Sequence, residues 1–85
     1  MKTKFNLVSP VEVDYDDTLF YDMCNQWDDP MDFIRPNRAE LIENAPHYVT
    51  INSIECDRVP PYLLPDIHLM AAQHIVEQLI EKFER

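Results

Sequence analysis

The chain begins with an alternation of apolar and polar side chains, which is typical of a β-strand with one buried face. From Phe5 to Tyr15 the odd positions are mostly apolar, whereas the even positions include Glu12 and Asp14. Pro10 interrupts this stretch, and proline within a strand is confined to edges and bulges. The pattern predicts one half-buried strand from Phe5 to Tyr15 with a polar, solvent-facing side, and Pro10 implies either an edge position or a bulge.

A helical period follows this strand. The apolar residues on one face of the predicted first helix are Leu19, Phe20, Met23, Cys24 and Trp27. Asp17 or Thr18 is predicted to cap the start of the helix, because both side chains accept hydrogen bonds from backbone amides there. The run Asp28-Asp29-Pro30 is predicted to end it, since the residue before a proline avoids helical geometry.

The middle of the chain predicts a short helix and a second strand. Asn37 and Glu40 resemble a capping pair for a helix over residues 38–44, and Pro46 closes it. Residues 47–58 are rich in β-branched side chains, which favours a strand. The mixed spacing of their apolar side chains predicts a bulge that shifts the register.

The last helix is predicted from Asp66, as its cap, to about Phe83. Its apolar stripe consists of Leu69, Ala72, Ile75, Val76, Leu79, Ile80 and Phe83. Five of these, Leu69, Ala72, Val76, Leu79 and Phe83, also have the spacing of a coiled-coil seam, so they form either the core or a homodimer contact. Residues 1–85 are thus predicted to form a single compact acidic α+β domain. Its order is β-α-α-β-α, with a two-stranded sheet packed against a long C-terminal amphipathic helix.

Charge narrows the choice of partners, because 16 acidic residues against 7 basic ones give a formal net charge of −9. Nucleic acid and anionic membranes would repel this chain, so neither is expected as a direct partner. The chain contains no glycine, which excludes glycine-rich phosphate loops and nucleotide-binding fingerprints. A basic protein surface is the expected counterpart.

Cys24 and Cys56 are the two cysteines of the chain. The first residues, MKTKFNLVSP, contain no apolar run long enough for a signal peptide or a membrane span. We therefore predict a cytoplasmic protein with two free thiols, and a Cys24–Cys56 disulfide in a secreted protein is the alternative. His47, His68 and His74 match no zinc-ligand spacing with these cysteines, so no metal or cofactor is predicted.

The segment from Asp14 to Leu19, DYDDTL, resembles the first motif of the haloacid dehalogenase-like phosphatases, which in that family follows a central parallel strand. The resemblance implies that Asp14 is a nucleophile that forms an aspartyl-phosphate and that Asp16 is the general acid/base. It also implies a Mg²⁺ ion that neutralises the phosphoryl oxygens. A looser similarity extends over IRPNRAELIENAPHYVTINS, where Ser53 corresponds to the serine or threonine after the family's second strand.

Two other features of that family are missing from the sequence. The family's central strand is apolar on both faces, whereas here Glu12 alternates with apolar residues. The family's metal site needs a downstream lysine followed by an acidic pair, and this chain has Lys82 with Glu84 on an amphipathic helix. We therefore predict that the protein is not an enzyme. A divergent Mg²⁺-dependent phosphohydrolase fragment built on Asp14 and Asp16 is kept as an alternative.

Some of the acids have predicted structural roles. Asp16 and Asp17 precede the first helix, where a carboxylate gains about 0.3–1 kcal/mol from the helix dipole. Asp28, Asp29 and Asp32 are instead predicted at the C-terminal end of that helix, where negative charge opposes the dipole. Their placement would cost stability, which favours a functional role for them.

The acids without a structural role form the predicted binding surface, which would imitate nucleic-acid phosphates in a basic groove of another protein. Its members are Glu12, Asp14, Asp22, Asp28, Asp29 and Asp32, with Tyr15, Tyr21 or Trp27 as an aromatic anchor. We predict an inhibitor or modulator of a nuclease, polymerase or other nucleic-acid-handling host protein, similar in general style to the inhibitors of phages and mobile elements. The alternatives are an acidic solubilising face and an assembly protein that uses its last helix.

Overall fold

Three antiparallel strands form the sheet of the computed structural model, which describes residues 1–6, 10–56 and 61–84. The strands are β1 (Lys2–Asn6), β2 (Pro10–Asp16) and β3 (Thr50–Cys56), in the order β1-β2-β3. β1 and β2 form a hairpin in which Phe5 lies opposite Val11 and Thr3 lies opposite Val13. The predicted single strand is therefore two strands, and the predicted two-stranded sheet has three.

β2 lies in the middle of the sheet, and a bulge in β3 interrupts its pairing with that strand. Asp14 lies opposite Ser53, but the next residue, Tyr15, lies opposite Ile51, so Asn52 is the extra residue of the bulge. Ile51 and Ile54 are three residues apart and would face opposite sides of a regular strand. The bulge lets both pack against the core, and it confirms the predicted register shift.

The described residues contain three α-helices: α1 (Thr18–Cys24), α2 (Pro30–Glu43) and α3 (Leu64–Glu84). Short 3₁₀ helices at Ala45–His47 and Pro61–Leu63 precede β3 and α3. The predicted α+β class with a long C-terminal helix is confirmed. The predicted order β-α-α-β-α is corrected to β-β-α-α-β-α. Among the described helices, none combines the length and apolar character needed to cross a membrane.

α2 begins eight residues earlier than predicted, because its start signal is Asp29-Pro30. The carboxylate of Asp29 accepts a hydrogen bond from the backbone N–H of Met31 at 3.0 Å, which makes Asp29 the N-cap. Pro30 suits the first helical position, where its missing N–H would have had no intrahelical partner.

The predicted capping pair of Asn37 and Glu40 is wrong, because both residues lie inside α2. Asn37 Nδ2 donates to the backbone carbonyl of Phe33 at 2.8 Å, one turn earlier in the helix. Pro36 also lies inside α2, so the helix continues through a residue that normally interrupts one.

One hydrophobic core joins the inner face of the sheet to the helices, and α3 supplies more of its buried residues than any other element. The buried residues of α3 are Ile67, Ala71, Ala72, Ile75, Val76, Leu79 and Ile80. Of the five residues at seam spacing, Ala72, Val76 and Leu79 are buried, Phe83 packs against the core, and Leu69 is 40% exposed. The stripe is therefore used mainly within this chain.

Polar contacts attach α2 and β1 to α3. Arg38 Nη1 of α2 lies 2.6 Å from Glu84 Oε1, and Thr3 Oγ1 of β1 lies 3.3 Å from Gln78 Oε1. Asp66 lies in the first turn of α3 and not at its cap, because the helix begins at Leu64. A carboxylate in the first turn of a helix still interacts favourably with the helix dipole.

Candidate protein-interaction surface

Glu12 and Asp14 lie on the solvent-facing side of β2, where β1 supplies cations to Glu12. The Nζ atoms of Lys2 and Lys4 lie 3.8 and 3.7 Å from the carboxylate of Glu12. The amino group of Met1 lies 3.4 Å from Asp14 Oδ1. Exposed pairs of this kind contribute only about 0.2–1 kcal/mol each. They nevertheless offset much of the negative charge that this face was predicted to present.

Four further acids lie between α1 and the start of α2, and all four are exposed. They are Asp22 on α1, Asp28 and Asp29 in the connection, and Asp32 in the first turn of α2. Within the described residues, no ion pair involves any of the four. Trp27 lies in the same stretch and is 47% exposed. We call Asp22, Trp27, Asp28, Asp29 and Asp32 the acidic junction.

Trp27 reaches the surface because α1 ends at Cys24, earlier than predicted. The backbone N–H of Trp27 donates to the carbonyl of Cys24 at 3.2 Å in a turn that closes the helix. The indole ring stacks on Phe33 of α2, with ring centroids 5.6 Å apart and 22° between the planes. The predicted apolar face of α1 is correct at Phe20, which is buried. It is wrong at both ends, because Leu19 is 53% exposed and Trp27 is 47% exposed.

Asp29 and Asp32 stabilise α2, which removes one reason for assigning them a binding role. Asp29 is the N-cap of the helix and Asp32 lies in its first turn, where the helix dipole favours negative charge. The sequence predicted that these two carboxylates oppose the dipole of the first helix, and that prediction is wrong. The carboxylates of Asp22 and Asp28 accept no hydrogen bond from any described residue.

Trp27 is the most exposed of the three aromatic residues predicted as anchors. Tyr15 is buried in the core, and the half-buried ring of Tyr21 lies 5.7 Å from that of Phe83. Burial, with a smaller contribution from the Asp17 carboxylate, raises the pKa of both tyrosine hydroxyls. The two tyrosines therefore act mainly as packing residues.

The DYDDTL segment is the end of a strand followed by the start of a helix. Asp16 Oδ1 accepts a hydrogen bond from the backbone N–H of Thr18 at 2.8 Å. Hydrogen bonds from the side chain and the backbone of Thr18 lower the pKa of Asp16. This confirms the predicted structural role of Asp16. β2 pairs antiparallel with both neighbours, whereas the phosphatase resemblance implies a central parallel strand.

Cys24 and Cys56 are both free thiols. This agrees with the prediction of two free thiols and not with the alternative of a Cys24–Cys56 disulfide. Cys24 is fully buried, and this burial raises the pKa of its thiol. Among the described residues, no group of three or more histidine, cysteine, aspartate or glutamate side chains is placed to hold a metal ion.

Two residues relevant to the surface were not identified from the sequence. Phe33, which supports Trp27, could have been found from the Asp29-Pro30 start signal, since that signal puts Phe33 in the first turn of a helix. Glu55 lies exposed on β3, directly opposite Glu12. No sequence signal reveals that Glu55 lies opposite Glu12, because this depends on how the strands pair.

Comparison with protein-family models, curated proteins and solved structures finds no significant match to this chain. A functional assignment therefore depends on the chain's own residues. The acidic junction holds exposed carboxylates and a supported aromatic ring in one short stretch of the chain, and both kinds of group bind cationic side chains.

Proposed function

We propose that this chain binds a basic, nucleic-acid-handling protein as an inhibitor or modulator, with the acidic junction as its principal contact. The observation that supports this most strongly is the surroundings of Trp27. Its half-exposed ring lies in sequence between Asp22 and Asp28, two exposed carboxylates without a cationic partner among the described residues.

Arginine is the side chain that fits this surface best. Its guanidinium group pairs with carboxylates and also stacks on aromatic rings, so one arginine can use both features of the junction. The stacking of Trp27 on Phe33 restrains the indole before a partner arrives, which lowers the entropy lost on binding. Arginine and lysine in a nucleic-acid groove bind phosphates, and the junction would compete for the same cations.

Glu12 and Asp14 have a smaller part in this proposal. They lie on a different element from the junction, and the cations of β1 and the amino group of Met1 already face them. The net charge of −9 would attract a basic partner over a longer range and increase the association rate. The short-range contacts would then come from Asp22, Trp27 and Asp28.

Binding to a panel of basic nucleases and polymerases, with duplex DNA as the competitor, tests this proposal. The test variant combines Asp22→Asn, Asp28→Asn and Asp32→Asn, which removes three charges and keeps the Asp29 cap. The matched control combines three exposed sites outside the junction, Glu43→Gln, Glu77→Gln and Glu81→Gln. Both variants have the same net charge.

The test variant is expected to lose at least about tenfold in affinity, equivalent to about 1.4 kcal/mol. The control is expected to lose much less, and DNA should displace the native chain. Affinity should also fall between about 50 and 500 mM salt, because the contact is electrostatic. Equal losses in the two variants, or an affinity that ignores salt, would contradict the proposal.

A further inference from the structure

The two edges of the sheet carry different side chains. β1 has Lys2 and Lys4 at one edge, and lysine on an edge strand discourages pairing with another strand. β3, at the other edge, reads TINSIEC and has neither lysine nor proline. Within the described part of the chain, β3 pairs with β2 alone. β3 is therefore the edge that is chemically open to a further strand.

A row of charged side chains crosses the solvent-facing side of the sheet and ends at this open edge. Lys4 lies opposite Glu12, and Glu12 lies opposite Glu55. Like charges directly opposite each other on neighbouring strands are destabilising. Both strand lysines contact Glu12, and no ion pair among the described residues involves Glu55. A cation beyond the edge of β3 would face Glu55 and complete the row.

We propose that the open edge of β3 binds an extended segment of a partner protein, which adds to the sheet as a fourth strand and places a lysine or arginine beside Glu55. This inference rests on the proposed function, since the partner is basic, and it specifies how that partner binds. Backbone hydrogen bonds along the edge supply affinity, and alternate side chains supply specificity.

The core-facing side chains of β3 determine which residues the added strand should carry on its core-facing side. Ile54 and Cys56 are half-buried and pack against the core. Side chains that alternate with the cations would lie beside them and should be apolar. Because the bulge at Asn52 breaks the regular ladder, the usable edge is short and centred on Ser53 to Cys56. The ligand is therefore a short segment in which basic and apolar residues alternate.

A second copy of this chain fits the same edge less well. Pairing through β3 would bring together two molecules that each carry a formal charge of −9. It would also add a second Glu55 to the sheet and no cation within β3. A basic segment removes the charge conflict, whereas a second copy increases it.

The test uses a short, fluorescently labelled peptide of alternating lysine and valine as the probe. Affinity is measured by fluorescence anisotropy, and the site is located by hydrogen–deuterium exchange. We expect the peptide to slow exchange of the edge amides in residues 53–56. Glu55→Lys should weaken peptide binding at least about tenfold. The matched control Glu81→Lys, an exposed site on α3 with the same change of charge, should weaken it about twofold or less.

Glu55→Lys is expected to fold, because it replaces a like-charge pair by an opposite-charge pair, and circular dichroism checks this. If it does not fold, Glu55→Gln serves as the second variant, with Glu81→Gln as its control. Equal effects of the changes at the two positions would overturn the proposal.

Three other outcomes also overturn the edge proposal. In the first, the peptide slows exchange at the acidic junction but not in β3. This result would overturn the edge proposal without contradicting the proposed function. The absence of peptide binding would do so as well, while the nuclease and polymerase panel decides the proposed function separately. Protection of β3 without peptide, together with dimers in sedimentation experiments, would assign the edge to a second copy of the chain.

Discussion

Individual aspartates in this chain differ in role according to the backbone amides beside them. Asp29 accepts a hydrogen bond at the start of α2, whereas its neighbour Asp28 accepts none from the described residues. Asp29→Ala is therefore expected to lower the free energy of unfolding by about 1 kcal/mol. Asp28→Ala should change it by less than about 0.5 kcal/mol. Urea unfolding followed by circular dichroism measures both, and equal losses would show that Asp29 is not a cap.

Asp16 gives the chain a defined dependence on pH. Hydrogen bonds from Thr18 lower the pKa of Asp16 in the folded chain, while the unfolded carboxyl keeps its ordinary value of about 3.9. The unfolded state therefore binds the proton more tightly. The stabilisation from Asp16 is present above about pH 3.9 and is lost as the pH falls through the lower folded pKa.

The variant Asp16→Asn isolates this effect, because it cannot titrate. The difference in unfolding free energy between the native chain and the variant should be largest near neutral pH and should shrink in acid. Urea unfolding at a series of pH values measures this difference. A difference that stays constant with pH would mean that the ionised form of Asp16 is not the stabilising one.

At the scale of elements, the hairpin shows why the alternation of apolar and polar residues could not distinguish two strands from one. In the β1–β2 register, Phe5 faces Val11 and Thr3 faces Val13, so odd-numbered residues face odd-numbered residues. The inner face therefore keeps the same parity before and after the chain reverses, and one long strand would have the same pattern. Without glycine, the strongest common turn signal is also missing. Residues 7–9, which connect the two strands in sequence, lie outside the described residues.

The helices were predictable to the extent that their apolar period was uninterrupted. α3 was expected over 66–83 and spans Leu64–Glu84, because its long stripe overrides weak end signals. α2 was expected only over 38–44, because Asn37 and Glu40 resembled a capping pair at the start of a helix. The core contacts of Met31, Ile34 and Leu41 hold the helix together across that proline. Such tertiary packing is not visible in local sequence.

Pro36 should therefore limit the stability of α2. Within a helix, proline cannot donate to the carbonyl of the residue four positions earlier, which here is Asp32. An interior proline costs about 3 kcal/mol relative to alanine, offset in part by about 0.4–1 kcal/mol from a stiffer unfolded chain. Since Pro36 is exposed, Pro36→Ala should raise the free energy of unfolding by about 2 kcal/mol.

Pro30→Ala is the matched control for that prediction. Pro30 is the first residue of α2, where proline removes no intrahelical hydrogen bond. Its replacement should change the free energy of unfolding by less than about 0.5 kcal/mol or lower it slightly. Urea unfolding compares the two variants. A similar gain from both would mean that the interior position of Pro36 carries no special cost.

At the scale of the whole molecule, the sequence identified the exposed acids but not their grouping. Asp22 and Asp28 were predicted as surface residues, and both are exposed. The contacts of Lys2 and Lys4 with Glu12 depend on the hairpin, so the partial neutralisation of that face could not be predicted. A test of the proposed function therefore has to separate the effect of net charge on partner affinity from the effect of where the charges lie.

Salt provides that separation, because the fold and the proposed complex should respond to it in opposite directions. Self-repulsion from the net charge of −9 destabilises the folded chain, and salt screens it, so the free energy of unfolding should rise between about 50 and 500 mM salt. Over the same range, affinity for a basic partner should fall.

The two triple variants used to test the proposed function carry the same net charge and should therefore show the same shallower rise in stability with salt. The variant of Asp22, Asp28 and Asp32 should show a clearly shallower fall in affinity than the control, because it alone removes charges at the contact. Urea unfolding and binding titrations at matched salt concentrations measure the two slopes. If both variants flatten the affinity slope equally, attraction to the partner depends on net charge alone and the acidic junction is not its contact surface.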